Sequence, residues 1–388
     1  MPDRADLARQ AADGLAALRS KPAVPVLLGF DGFVDSIIDV VDKRRSADDY
    51  TAIATIADFG QRISGAAGKS SNFELVTKLR KLGGNGPIMA NAMAAARLGV
   101  TYVGCVGRPA IDGVFQELAD RAEVHALADP GYTDALEFHD GKLMMGKYDH
   151  VAALGVEAID DVVGSEAFSD LVARSALIGM INWVMMPATE SIWQRLIDDI
   201  LPNLPREIDG HPRRVFIDLC DPAKRTDDDL KRALDLIARL DQHAEVVFGM
   251  NLSEADHVSR LLGHQPPDNL GEHLQDTAAA IREKLGIAAA VVHPRQGAAA
   301  AIREGGQEGG DVHTGYFAGP FVQHPRLSTG AGDNFNAGFC LGLLAELPVE
   351  QALCVGTATS GFYVRNARSP ELDELIDFCR ELPPPEGE

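Results

Sequence analysis

Residues Leu327 to Gly338 read Leu-Ser-Thr-Gly-Ala-Gly-Asp-Asn-Phe-Asn-Ala-Gly, small residues followed by an acid and then by an apolar helical pattern. Phe335, Phe339 and Leu343 recur at helical spacing, and Cys340, Leu341 and Leu344 widen the apolar face. The loop thus ends at a helix start, where backbone N–H groups lack intrahelical partners and the macrodipole favours negative charge. Gly330, Ala331 and Gly332 form a candidate anion seat. Asp333 follows directly, although a Ser, Thr or Asn would cap the helix without a second negative charge beside an anion. A carboxylate fits there if it takes a proton from a hydroxyl that attacks a phosphorus held over the three small residues. The plain structural alternative is a glycine loop packed against a sheet, with Asp333 as its N-cap.

The stretch Thr329-Gly330-Ala331-Gly332-Asp333-Asn334-Phe335-Asn336-Ala337-Gly338 resembles the C-terminal signature of the ribokinase-like, or PfkB, family of carbohydrate and nucleoside kinases. The resemblance implies a ribokinase-like α/β fold, a three-layer α/β/α sandwich with a mostly parallel central sheet and a small β lid. It implies transfer of the terminal phosphoryl of ATP to a hydroxymethyl group of a sugar, sugar derivative or nucleoside, with Mg²⁺, and it allows a monovalent cation. Asp333 would be the base, and the Gly330, Ala331 and Gly332 amides the anion hole.

The elements that must position this loop are legible along the chain. Arg4 to Arg19 form an amphipathic helix ended by Pro22 and Pro25, and Val26–Phe30 is an apolar run of strand length. Asp31 and Asp35 follow it, where open α/β sheets bind ligands; the resemblance favours Asp35 over Asp31 as the acid that holds substrate hydroxyls. Residues 43–75 read as an insertion, helical from Tyr50 to Ile63 and then small and polar. Gly65-Ala66-Ala67-Gly68-Lys69-Ser70 ends like a phosphate-binding loop but has Ile63 where the first glycine belongs and helix where a strand belongs, so it is read as a loop, with Lys69 near substrate as an option.

Gly83 and Gly84 allow close backbone approach to a ligand, and Asn85 can both donate to and accept from hydroxyls. With the helix that follows they resemble the family's N-terminal signature, except that Ile88 stands where the family has Asn; Asn85 or Asn91 must then supply that polarity. Val100–Gly107 is a second strand, Asp112–Arg121 a helix, and Ala135–Gly146 a hairpin around Asp140-Gly141. Lid strands are expected at about 30–40 and 133–150. From Ala176 on, strands at 176–184, 215–219, 246–249 and 288–292 alternate with helices at 191–200, 227–240, 253–262 and 270–285, which argues a mostly parallel sheet. A further helix spans Val349–Val364. One kinase domain is expected over residues 1–382, with a disordered tail at 383–388.

Asn251-Leu252-Ser253-Glu254 follows a strand and opens a helix, which a capping box would explain in part. It also matches the family's NxxE motif, which implies that Asn251 lies near the phosphates and that Glu254 supports Mg²⁺ through water. Asp218 to Arg225 ends another strand, and its Lys224 and Arg225 could meet a phosphate or simply be solvated. His293-Pro294-Arg295-Gln296-Gly297 stands where the family has a nucleotide-contacting Thr-x-Gly-x-x-Gly loop; Arg295 and Gly297 are the candidates, while Pro294 removes an N–H. A related branch uses ADP as donor and shares the NxxE and GxGD signatures, so ADP stays open as an alternative, as does a non-catalytic sugar or nucleotide sensor on the same fold. A dinucleotide oxidoreductase is disfavoured because Gly29-Phe30-Asp31-Gly32 lacks the GxGxxG arrangement.

Composition sets the outer bounds. A net charge of −21, with no basic patch beyond Lys43–Arg45 and Lys78–Lys81, argues against nucleic acid and anionic membranes as partners. Anionic nucleotide must be received locally. Five scattered cysteines without CxxC spacing read as reduced core residues, and without a leader or a long apolar run the chain reads as cytoplasmic. The expected partners are a small sugar or nucleoside and a nucleotide, with a homodimer allowed.

Overall fold

The computed structural model describes residues 3–265, 269–303 and 310–387. Among them, nine strands form one sheet in the order Val312–Ala318, Gly297–Arg303, Ala289–Val292, Glu245–Met250, Arg214–Asp218, Leu177–Ile181, Pro25–Phe30, Gly99–Gly104 and Glu123–Ala126. Pairing is parallel from Ala289–Val292 onward, and the first two strands add antiparallel at one edge. Alternation along the buried strands sends successive side chains into two cores. Leu27, Val215, Ile217, Val246 and Phe248 face one; Val26, Leu28, Phe216, Val247 and Val291 face the other. Helices cover both. Ser165–Arg174, Asp227–Leu240 and Leu274–Leu285 lie on the first face, and Arg4–Ala16, Asn85–Ala95, Ala331–Leu344, Val349–Asn366 and Leu372–Arg380 on the second. This is the expected three-layer α/β/α sandwich with a mostly parallel sheet.

A second sheet begins three residues after Phe30. Phe33–Arg44 pairs with Leu75–Gly83 along one edge and with Gly131–Phe138 and Tyr50–Ala52 along the other, and Gly141–Lys147 completes it. Ile38, Val40, Ile53, Phe59 and Leu136 give this small lid its own core.

Several expectations need correction. Tyr50–Ala52 is a strand, not the start of a helix; the helix runs Ile56–Gly65, capped by Thr55, whose hydroxyl accepts from the Asp58 amide. Leu75–Gly83, read partly as insertion and partly as a basic run, is a lid strand whose alternation is masked because most of it faces solvent. Gly297 opens an antiparallel strand, second from the edge of the sheet, instead of lying within a loop. The helices Val156–Val162 and Ser165–Arg174 are additional to the elements expected from the sequence. The tail expected to be disordered is tied down, with the Glu386 amide donating to the Phe321 carbonyl at 3.0 Å and Arg4 to the Pro383 carbonyl at 2.8 Å; Glu388 lies outside the described residues. No helix among the described residues is long and apolar enough to cross a membrane.

Candidate active site

The first strand, Pro25–Phe30, third from one edge of the sheet, is where the strand order reverses: Gly99–Gly104 and Glu123–Ala126 follow on one side, and Leu177–Ile181 and the later strands on the other. Ligand crevices form outside the carboxyl ends of strands at such a switch point. Asp31, Asp218, Asn251 and His293 all sit on or directly after those ends. A cleft of about 390 Å³ opens there, with Asn85, Asp218, Glu254 and Asp333 towards one end and Arg295, Phe321, Val322 and Val364 among the residues of its wall.

The helix Ala331–Leu344 begins at this cleft. Gly330 caps it with φ +93°, and no side chain accepts from the first amides. A Cβ at Gly330 would stand 2.7 Å from the Tyr363 hydroxyl, which itself donates to the Thr329 carbonyl at 2.8 Å. Glycine is required here by both conformation and space. The Ala331 amide donates to the Ser328 carbonyl and the Asn334 amide to Gly330. The amides of Gly332 and Asp333 have no acceptor among the described residues, which leaves two donors for an anion at the positive end of the helix. Gly338, Gly342 and Gly356 let this helix and Val349–Asn366 approach so closely that a Cβ at any of the three would meet the partner helix within 3 Å.

Asp333 is 5% exposed, and its Oδ1 accepts from the Asn85 Nδ2 at 2.9 Å. Burial, and then the neighbouring Asp218, hold its carboxyl well above the usual range. Asp218 is anchored by Asn336, whose Nδ2 donates to Oδ2 at 2.7 Å, and by the Cys220 amide at 2.9 Å. Cys220 and Asp221 both take positive φ, 60° and 65°, an unfavourable turn that aims the Asp221 amide at Glu254 Oε1, 2.9 Å away. Glu254 Oε2 accepts from the Asn251 amide at 2.8 Å and Asn251 Oδ1 from the Glu254 amide at 3.0 Å, so the capping box is formed. Burial and Asp218 push the Glu254 carboxyl up to about 7. Each Glu254 oxygen already holds one amide and retains lone pairs towards the cleft, which suits contact with a cation through water and not a full coordination shell. No cluster of three or more His, Cys, Asp or Glu placed to hold a metal occurs among the described residues.

The remaining predicted residues divide. Asn85 lines the cleft beside Asp333. Gly84 takes φ +89°, and a Cβ on Gly83 would lie 2.6 Å from the Asp35 carboxyl, so the glycine pair lets the lid acid lie against the loop. Asp35 is 6% exposed; burial raises its carboxyl while Lys81 opposes the shift. Asp31 is fully buried, and its oxygens accept from the amides of Asn85 and Gly86 and from Asn182 Nδ2, at 2.7 to 3.0 Å. It holds the loop that presents Asn85, and it does not line the cleft. Burial places its carboxyl at about 6. Arg295 and Gly297 reach the cleft, and Pro294 and His293 with them. The guanidinium of Arg225 lies 3.7 Å from the Trp183 ring and pairs with Glu190, and Lys224 pairs with Asp221, so neither is placed for phosphate. Lys69 lines a separate hollow on the lid with Arg44 and Arg62. Asn91 turns to Glu117, and Ile88 packs against the space beside Gly330.

Sequence reasoning passed over Asp218 in favour of its basic neighbours, although a lone acid at a strand end carried the same signal as Asp31. Asn336, within the signature stretch but assigned no role by it, was also missed, as were Tyr363 and the Phe321–Val322 wall, which have no local pattern.

Comparison with known proteins gives concordant results. The family model described as prokaryotic ketohexokinase matches residues 8–382. A ketohexokinase of Haloferax volcanii is 31% identical over 356 residues, 91% of this chain and 90% of that protein. Among solved structures, phosphofructokinase-2 of Escherichia coli in complex with substrates and products aligns at a TM-score of 0.59 with 14% identity, covering 93% of this chain and 99% of that one. Arabidopsis thaliana ribokinase complexed with ribose and ATP gives 0.59 with 15% identity, covering 92% and 99%. At such identities these two establish the shared fold.

Proposed function

The chain belongs to the prokaryotic ketohexokinase family and is an ATP-dependent carbohydrate kinase; on that premise we propose that its acceptor is a ketohexose, phosphorylated on a hydroxymethyl group with Asp333 as base. The observation that carries the site reading is the meeting, in one cleft, of a buried carboxylate with a raised proton affinity and two unpartnered amides at the start of its own helix.

The acceptor hydroxyl lies against Asp333, oriented by Asn85 and Asp35. Its proton passes to the Asp333 carboxylate as its oxygen forms a bond to the terminal phosphorus. The bond between that phosphorus and the bridging oxygen breaks, and ADP leaves with the electron pair. The Gly332 and Asp333 amides receive the equatorial oxygens, a fixed electrostatic contribution that needs no reorganisation. Asn251 and Glu254 face the polyphosphate. Mg²⁺, when bound, would neutralise phosphate charge, held through water by Glu254 with Asp218 behind it; the raised carboxyl of Glu254 beside Asp218 is the mark of a site short of positive charge. The nucleotide then extends past Gly297 and Arg295 along the wall of Phe321 and Val322.

A coupled nucleotide-consumption assay tests this, with ATP and separately ADP as donor, Mg²⁺ present, and a panel of ketohexoses, aldohexoses, pentoses and nucleosides. Turnover with ATP and highest kcat/KM on a ketohexose is expected. Preference for an aldohexose, a pentose or a nucleoside would overturn the acceptor, and turnover with ADP alone the donor.

A further inference from the structure

The segment from Gly319 to Gly330 joins the edge strand Val312–Ala318 to the anion-seat helix without regular secondary structure, and its Phe321 and Val322 wall the cleft. Core elements hold its two ends. Arg365 donates to the Pro320 carbonyl at 2.7 Å, the Arg326 amide to the Val364 carbonyl at 2.8 Å, and the Tyr363 hydroxyl to the Thr329 carbonyl at 2.8 Å. Arg365 also reaches the Phe321 carbonyl, at 3.4 Å, but Val322 and Gln323 lie between these ties, and there the C-terminal residues run alongside the wall. The Glu386 amide donates to the Phe321 carbonyl at 3.0 Å, and the Gln323 amide donates to the Glu386 carboxylate at 2.8 Å. One residue thus brackets Phe321–Gln323 from both sides, as a neighbouring strand would.

The tail is anchored in turn. Arg4 donates through Nη2 to the Pro383 carbonyl at 2.8 Å and through Nε to the Ala318 carbonyl at 2.8 Å, tying the tail to the end of the strand from which the wall departs. Arg295, a cationic residue of the cleft, has its guanidinium 5.4 Å from the centre of the Phe321 ring. A wall made of irregular chain is ordered only by such contacts, and ordering it before the ligand arrives removes that cost from binding.

We propose that residues 383–387 are a strap that positions Phe321 and Val322 as a wall of the nucleotide pocket, with Glu386 as its positioning residue. The proposal rests on the reading of this end of the cleft as the nucleotide half. It assigns the strap to one substrate: Asn85, Asp35 and Asp333, which face the sugar, are tied to other elements and do not depend on it.

The test compares the full chain with Glu386→Ala, Glu386→Gln and a chain ending at Leu382. ADP dissociation constants are measured by calorimetry, KM for ATP and for the sugar by steady-state kinetics, and the thermal midpoint in parallel. Glu386→Ala is expected to weaken ADP and raise the ATP KM about three- to tenfold, the worth of a single net hydrogen bond. The sugar KM should stay within about twofold. Glu386→Gln should stay near the parent, because its amide oxygen still accepts from Gln323, and the shortened chain should be at least as impaired towards ADP as Glu386→Ala. ADP binding unchanged in both Glu386→Ala and the shortened chain would overturn the strap, as would equal rises in both KM values with a lowered midpoint. If the parent chain binds no ADP, the nucleotide reading falls and the strap with it; parent binding with unaltered variants sinks the strap alone.

Discussion

Asp333 combines two features that only work together. It is buried beside Asp218, so its carboxyl binds a proton more readily than a solvated one, and it receives a hydrogen bond from Asn85 that fixes the oxygen facing the cleft. A base is active when deprotonated, so a raised value moves the acid limb of the pH profile upward: kcat/KM should climb through a pH above the ordinary carboxylate range and then level. An acid limb at or below pH 4 in a profile at saturating Mg²⁺ would contradict this. Asp333→Asn keeps the shape and removes the proton acceptor. Turnover should fall by about 10²–10⁴, with a thermal midpoint no lower than the parent's, because a buried acid short of partners is replaced by a neutral amide; turnover within about tenfold of the parent would remove Asp333 from the role of base.

At the level of elements, the site depends on how one helix starts. Gly330 and Gly332 are alike in sequence but not in structure. Gly330 stands at φ +93° with the Tyr363 hydroxyl in the place of a side chain, whereas a Cβ on Gly332 would meet its nearest neighbour, His293 Cε1, at an ordinary 3.4 Å. Gly330→Ala should therefore destabilise by about 1–2 kcal/mol in urea denaturation, the cost of forcing a side chain into left-handed backbone. Gly332→Ala should be neutral to stability within about 0.5 kcal/mol or slightly stabilising, yet still lower kcat because a methyl group crowds the anion seat. Equal effects of the two on stability would show that the loop adapts instead of holding a fixed shape. The same logic accounts for the strand ends. Asp31, Asp218, Asn251 and His293 come from four separate strands, and the parallel sheet alone brings them to one edge.

For the molecule as a whole, the net charge of −21 sets a field that opposes a polyanionic substrate, while the cleft answers with two amides, one guanidinium and whatever cation the nucleotide brings. Screening should then help binding. Raising ionic strength from about 0.01 to 0.15 M, over which the Debye length shrinks from about 30 to 8 Å, should lower the KM for ATP by about twofold at constant free Mg²⁺. A rising KM over that range would mean that local positive charge dominates. The lid carries the opposite balance on its strand Leu75–Gly83, with Lys78, Arg80 and Lys81, and Lys81 lies close enough to Asp35 to oppose the rise in its proton affinity.

Much of this was legible in the sequence because it is local. The strand runs are apolar over their whole length, which buried parallel strands require. The small-residue loop before Asp333 can only be explained by an anion or a close approach, and the Asn251 to Glu254 spacing closes a capping box within one turn. Long-range facts were not legible. Asp31 read as a substrate ligand because it ends a strand; only the fold brings Asn85, Gly86 and Asn182 to its oxygens and turns it into a loop anchor. Lys224 and Arg225, basic and near a strand end, read equally as phosphate contacts or as solvated surface; Trp183, Glu190 and Asp221 claim them. The C-terminal residues, rich in Pro and Glu, carry no periodicity at all, and their order comes from Arg4 and from the backbone of Phe321 and Gln323. The sequence alone determined most strands of the central sheet, the helix behind Asp333 and most of the residues that can do the chemistry. Which of those residues face one another was decided by tertiary structure, because hydrogen-bond partners hundreds of residues apart leave no mark on local spacing.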